Sequence, residues 1–209
     1  NTCFKILRIY IFINTTLMYA FVYFNRTCPS IVSEDMAESY GVKKKKLGIF
    51  SSMFFYPYAV MQVFAGLLSD ILDPAILVGG AQIIASIGAL ICGLSGNVAV
   101  GCVGRFFVGL GCGPSYVPIC KFASIWFSLD YYSYLLGIIL AIGGAGGIIA
   151  QYPLAAFADK YGWRVAFFGI AGLGFILSVL ILIFCRNTPE ERGYEPVNKE
   201  VENKEQLTV

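Results

Sequence analysis

The amino-acid sequence predicts an all-α membrane protein of six transmembrane helices, arranged as two inverted three-helix repeats. Three observations predict it. The 209 residues are 57% hydrophobic and only 13% charged, about half the ~25% charge of a soluble domain. The apolar residues are gathered into long runs, and six of these reach the roughly 20 residues that a helix needs to cross a ~30 Å hydrocarbon core. The ends of the second and fifth runs echo one another.

The first span runs from Lys5 to Val32. Lys5 and Arg8 ahead of an apolar stretch resemble the start of a signal peptide, but the run is long and lacks a small-residue cleavage site, so a retained span is expected. Two glycosylation sequons, at Asn14 and Asn25, fall inside it and are discounted. The connection that follows, SEDMAESYGVKKKK, sets three acids (Glu34, Asp35, Glu38) before Lys43–Lys46 and reads as a solvated loop rather than a lipid or partner site. Span two is Leu47–Leu68 and span three Pro74–Leu94. Span four, Val98–Phe122, carries GRFFVGLGCGP, and span five, Ser133–Ala158, carries GIILAIGGAGG. Span six is Trp163–Cys185. These give a bundle over residues 1–185, and from Arg186 to Val209 a polar tail, or the start of a central loop, whose composition stays in water.

Span two ends with Gly66-x-x-x-Asp70 and span five with Ala155-x-x-x-Asp159. Spans two and five correspond if spans 1–3 and 4–6 are copies of one unit, and an odd number of crossings per copy forces the second to be inverted. Inverted repeats of this kind are a transporter architecture. Charge does not orient the bundle. Lys5, Arg8, Lys121 and the tail cations on one side nearly balance Lys43–Lys46, Lys160 and Arg164 on the other.

Composition also excludes functions. A net charge of +2 with scattered cations gives no nucleic-acid footprint. There is no histidine, and the seven cysteines form no CxxC pair, which leaves them as small packing residues. No nucleophile–base pairing, phosphate loop or metal cluster is visible, so neither an enzyme nor a cofactor or metal is expected.

Charges within the spans are the informative residues, because an arginine at mid-helix costs about 2.5–3.5 kcal/mol on insertion scales. Arg105 and Lys121 lie toward the ends of span four, where snorkelling to the interface is an alternative to a buried role. Arg26 is different: Cys28, Pro29, Ile31 and Val32 continue the apolar run beyond it. Tyr19, Tyr23 and Arg26 share a face at spacings of four and three, and Tyr58 and Gln62 share one on span two. A cation with hydroxyls and an amide around it can cradle an anion. The glycines of spans four and five (Gly109, Gly111, Gly113; Gly143, Gly144, Gly146, Gly147) allow close helix packing. Their density in span five further predicts a helix that bends or slides.

At this point the sequence resembles the N-terminal six-helix half of a major facilitator superfamily transporter. Gly66-Leu67-Leu68-Ser69-Asp70 resembles the start of that family's loop motif after span two, Arg105 to Gly113 its R-x-x-x-G-x-G-x-G pattern, and Gly162-Trp163-Arg164 the GWR opening span six. Tyr23–Arg26, Phe54–Gln62, Pro118, Lys121 and Arg186–Glu190 are most similar to the branch of anion:cation symporters and organophosphate:phosphate antiporters. The resemblance implies alternating-access transport of a small organic anion. Arg26, Tyr23, Tyr58, Gln62 and Lys121 would be substrate-binding; Gly66, Asp70, Arg105, Gly109, Gly111, Gly113, Asp159 and Arg164 would be gating or structural. It also implies a coupling ion, a missing C-terminal half or a second copy, a plasma or organelle membrane, and both termini in the cytosol. Two departures stand out. The loop motif has lost its basic residues (Ile71, Asp73-Pro74-Ala75), and Gln62 stands where phosphate-exchanging members tend to have lysine. A neutral-solute carrier of the same superfamily and a truncated, non-transporting scaffold, regulator or gene remnant are the competing readings.

Overall fold

The computed structural model describes residues 2–185 together with 188, 189, 194 and 197; the expected tail otherwise lies outside the described residues. Every regular element among them is helical: α1 (Thr2–Ile31), α2 (Ser33–Ser39), α3 (Leu47–Ser52), α4 (Phe55–Ile71), α5 (Pro74–Leu94), α6 (Val98–Cys112), α7 (Tyr116–Trp126), α8 (Tyr132–Ile149), α9 (Gln151–Tyr161) and α10 (Trp163–Phe184). They make six apolar crossings, of which the second, fourth and fifth are built from two helices each.

The breaks have one cause. Proline removes the N–H that would bond the carbonyl four residues back and crowds it sterically. Pro57 thereby releases Met53, where α3 gives way to α4. Pro114 sits in the 3₁₀ turn Gly113–Ser115 between α6 and α7. Pro153 releases Ile149, the last residue of α8. The fourth span also runs on to Trp126 and the fifth to Tyr161, beyond their expected ends at Phe122 and Ala158. The first connection departs from a plain loop, because SEDMAES folds as α2. Glu34 and Asp35 occupy its first turn, where they oppose the helix dipole. Met36 is fully buried, and its N–H donates to Val32 at 3.0 Å.

Helix α5 lies between α6 and α10. Its contact with α6 is backbone to backbone: a Cβ on Gly88 would stand 2.6 Å from the Gly104 carbonyl, and one on Gly104 2.7 Å from the Gly88 carbonyl. On its other side the Ser178 hydroxyl donates to the Gly79 carbonyl at 2.6 Å. The inverted repeat is visible in the remaining contacts. Gly109 and Gly113 of the fourth span receive Phe54, Pro57 and Met61 of the second span, while the α8 glycines 143, 146 and 147 receive Tyr19, Ala20 and Tyr23 of the first. In each case the first helix of one repeat packs on the second helix of the other.

Candidate functional site

Helix α1 carries the centre of the site. Tyr19, Tyr23 and Arg26 project from one face, with the two tyrosine rings edge to face at 5.2 Å. Arg26 is exposed on this bundle, and its guanidinium lies 5.3 Å from the centre of the Phe55 ring on α4. From the same helix Tyr58 comes within electrostatic reach of Arg26 and Tyr23. Gln62, one turn further on, donates its amide N–H to the Tyr58 hydroxyl at 3.0 Å. The Tyr58 ring stacks on Phe54 at 5.4 Å, which limits its rotation. Four of the expected residues, Arg26, Tyr23, Tyr58 and Gln62, therefore lie on the two helices flanking one gap, with Arg26 beside the Phe55 ring and Gln62 on the Tyr58 hydroxyl.

The spacing of the sequence had not shown Phe55 or Tyr116 as part of this group. Phe55 supplies a π face to Arg26, an attraction worth about 0.5–2 kcal/mol depending on desolvation. Tyr116 on α7 packs against Tyr19 at 5.4 Å. An aromatic next to a proline-broken helix start was the only signal either residue offered.

Lys121 is not part of the group. Its ammonium donates to the Ser69 carbonyl and stands 4.0 Å from the Asp70 carboxylate. Asp70 lies 15 residues beyond Phe55 on α4, roughly 22 Å at the helical rise of ~1.5 Å per residue. Lys121 thus closes the far end of α4, where last-turn carbonyls are otherwise unpaired.

Arg105 is 1% exposed. Its Nη2 donates to the Asn25 carbonyl at 3.0 Å, and Nη1 lies 3.9 Å from the Cys28 sulfur. Its guanidinium also stands over Phe50 at 5.6 Å and Phe54 at 5.2 Å. The identity of the acceptor is informative. Asn25 is four residues before Pro29, so its carbonyl is the one that this proline deprives of a helical partner. Arg105 replaces the missing N–H, and α1 continues through Pro29 to Ile31.

The remaining motif residues serve the bundle's ends and contacts. Arg164 donates to the Ser39 hydroxyl at 3.0 Å and the Ser95 carbonyl at 3.3 Å, and lies 4.2 Å from the Trp163 ring centre. Beside them Tyr40 shares a hydrogen bond with Ser95, and burial holds its hydroxyl above the usual phenol range. Asp159 is exposed at the end of α9. Gly111 meets the Ala81 carbonyl and Ala85 of α5. Gly66 differs: a Cβ there would meet nothing within 4 Å.

The family model described as Major Facilitator Superfamily matches residues 15–207. The chain is 26% identical over 177 residues to a probable sulfoacetate transporter, SauU, of Cupriavidus necator, covering 85% of this chain and 41% of that protein. It is 25% identical over 204 residues to the glycerol-3-phosphate transporter of Bacillus subtilis, covering 95% and 46%. The membrane sensor protein UhpC of Salmonella typhimurium is 25% identical over 196 residues, with 91% and 43% covered. Among solved structures, an inward-facing, occupied bacterial homologue of the human lysosomal transporter Spinster superposes with a TM-score of 0.80 at 18% identity, over 92% of this chain and 46% of that one. The chain thus spans a little under half the length of the relatives it matches.

Proposed function

The chain belongs to the Major Facilitator Superfamily, a multi-pass integral membrane fold, and on that premise we propose that it is the N-terminal half of a secondary active transporter for a small organic anion. Arg26 carries the reading. It is a cation at membrane depth that is exposed on the bundle and pairs with no carboxylate among the described residues; the Phe55 ring lies beside it. Tyr23, Tyr58 and Gln62 supply the neutral donors around it. Relatives named for sulfoacetate and glycerol 3-phosphate support an anionic substrate, and Gln62, an amide rather than a lysine, favours a singly bound anionic head over a multiply charged one. Transport would proceed by rocking against a second six-helix bundle around a midplane site. Lys121 with Asp70 would act at the gate rather than on substrate, and both termini would lie in the cytosol.

Proteoliposome uptake and equilibrium binding of sulfoacetate and glycerol 3-phosphate by the whole protein test this reading. A charge-assisted hydrogen bond is worth about 1.5–3 kcal/mol, so Arg26→Gln should weaken anion binding about tenfold to a hundredfold, with Arg26→Lys in between and folding unchanged. A neutral-solute carrier would keep its affinity within a few-fold in all three proteins. A second reading has its own observation: UhpC is named as a membrane sensor. Anion binding sensitive to Arg26 without any uptake would favour a sensor.

A further inference from the structure

Away from the Arg26 face, a half-open cavity of about 550 Å³ lies between α1, α8–α9 and α10. Its wall is hydrocarbon: Ala20 and Phe24 of α1, Ala150, Pro153 and Phe157 of the fifth span, and Ile170 of α10 are among the lining residues, and every lining residue is apolar or glycine. Its origin is the proline break. Pro153 ends α8 at Ile149, and the segment beyond the break no longer packs against α1 as closely as Gly143 and Gly147 do.

We propose that this cavity holds one acyl chain of a bilayer phospholipid whose anionic headgroup rests on Lys160. Access favours a lipid over protein. The exposed rim residue Leu17 lies nine positions before Arg26, and at ~100° per residue the two face opposite ways, so the mouth opens away from the face that carries the candidate site. Size agrees: at the roughly 30 Å³ that a water-sized group occupies in a liquid, the cavity accommodates about eighteen methylene-sized units, one long acyl chain. Charge agrees as well. Ala150, Leu154, Phe157 and Tyr161 follow one another at spacings of four, three and four along one face. Lys160 stands beside them at the membrane exit, with its ammonium 5.2 Å from the Tyr161 ring centre. Asp159 is two positions from Phe157 and so falls on the other side of α9. Lysine and tyrosine at the end of an apolar groove are the usual anchors of a headgroup layer.

The inference does not depend on the transported substrate. The purified protein, in a neutral detergent with phosphatidylglycerol or phosphatidylcholine added, is weighed by native mass spectrometry. One phospholipid per chain is expected, with phosphatidylglycerol retained about fivefold better, the scale of one lysine near an anionic surface. Gly169→Phe plugs the cavity from α10; a Cβ there meets nothing within 4 Å, so folding is kept and the lipid should be lost. Gly172→Phe, equally open but outside the lining, should keep it. Lys160→Gln should keep the chain and lose the headgroup preference. Undiminished retention by Gly169→Phe, indifference of the unsubstituted protein to headgroup charge, or a doubled mass that Gly169→Phe abolishes would each overturn the proposal, the last by making this face a contact between copies.

Discussion

Arg26 and Arg105 stand on neighbouring spans and have opposite surroundings. Arg26 is exposed beside one ring. Arg105 is buried against a carbonyl, a thiol and two rings. A charge taken out of water costs several kcal/mol unless its partners are well arranged, and here the chief partner is a carbonyl that Pro29 has made available. The two residues should therefore be energetically coupled. Arg105→Met removes the strong donor and leaves the Asn25 carbonyl with only the weak Cys28 thiol at 3.5 Å, whereas in a Pro29→Ala background the restored N–H of residue 29 takes that carbonyl over. A double-mutant cycle, read by thermal denaturation in detergent, should return a coupling of about 1–3 kcal/mol; additive effects would show that the proline and the arginine act separately. The sequence showed Arg105 to be unusual but left open whether it snorkelled. Its acceptor is eighty residues away, and no spacing on its own helix points there. Lys121 shows the same limit: its short-range neighbours suggested a site or an interface, while its partners, Ser69 and Asp70, come from another span.

Prolines and glycines decide the shape of the elements, and each depends on what the neighbouring helix offers. Pro57, Pro114 and Pro153 coincide with breaks, but Pro29 does not. The difference is the donor from Arg105, which is invisible in the first span's own sequence; the six apolar runs, by contrast, were legible because length and hydrophobicity are local properties. Glycines divide in the same way. At Gly109 a Cβ would run into the Phe54 carbonyl and come within 2.8 Å of Pro57, and neither backbone nor proline can yield. At Gly144 a Cβ meets nothing within 4 Å. Gly109→Ala should lose about 1–3 kcal/mol, the cost of overpacking a tight contact. Gly144→Ala should be neutral or gain up to about 1 kcal/mol in helix propensity. Melting temperatures of the two variants check this, and a destabilised Gly144→Ala would mean that α8 is covered by something outside this bundle.

For the whole molecule, the proposed transporter would set one side of this bundle against a second bundle; the chain itself spans under half of each of these relatives. On that proposal Gly66 would lie on that side. It follows Phe55 by eleven residues and Gln62 by four along α4, which sets it on the same face as residues of the Arg26 group. Nothing in this bundle lies within 4 Å of its absent side chain. The glycine is thus not required for the packing of the six helices, and α4 would be more helical without it. In the proposed transporter it would leave clearance for a backbone approaching from the other side of the site. Gly66→Leu in the whole protein should therefore keep the melting temperature of the bundle, keep anion binding at Arg26 within a few-fold, and reduce uptake at least tenfold, because the two bundles could no longer close. Measuring the three quantities on one preparation separates the cases. Uptake that survives the leucine would mean that no second backbone comes close at Gly66. A fall in melting temperature without a selective loss of uptake would place its role in stability.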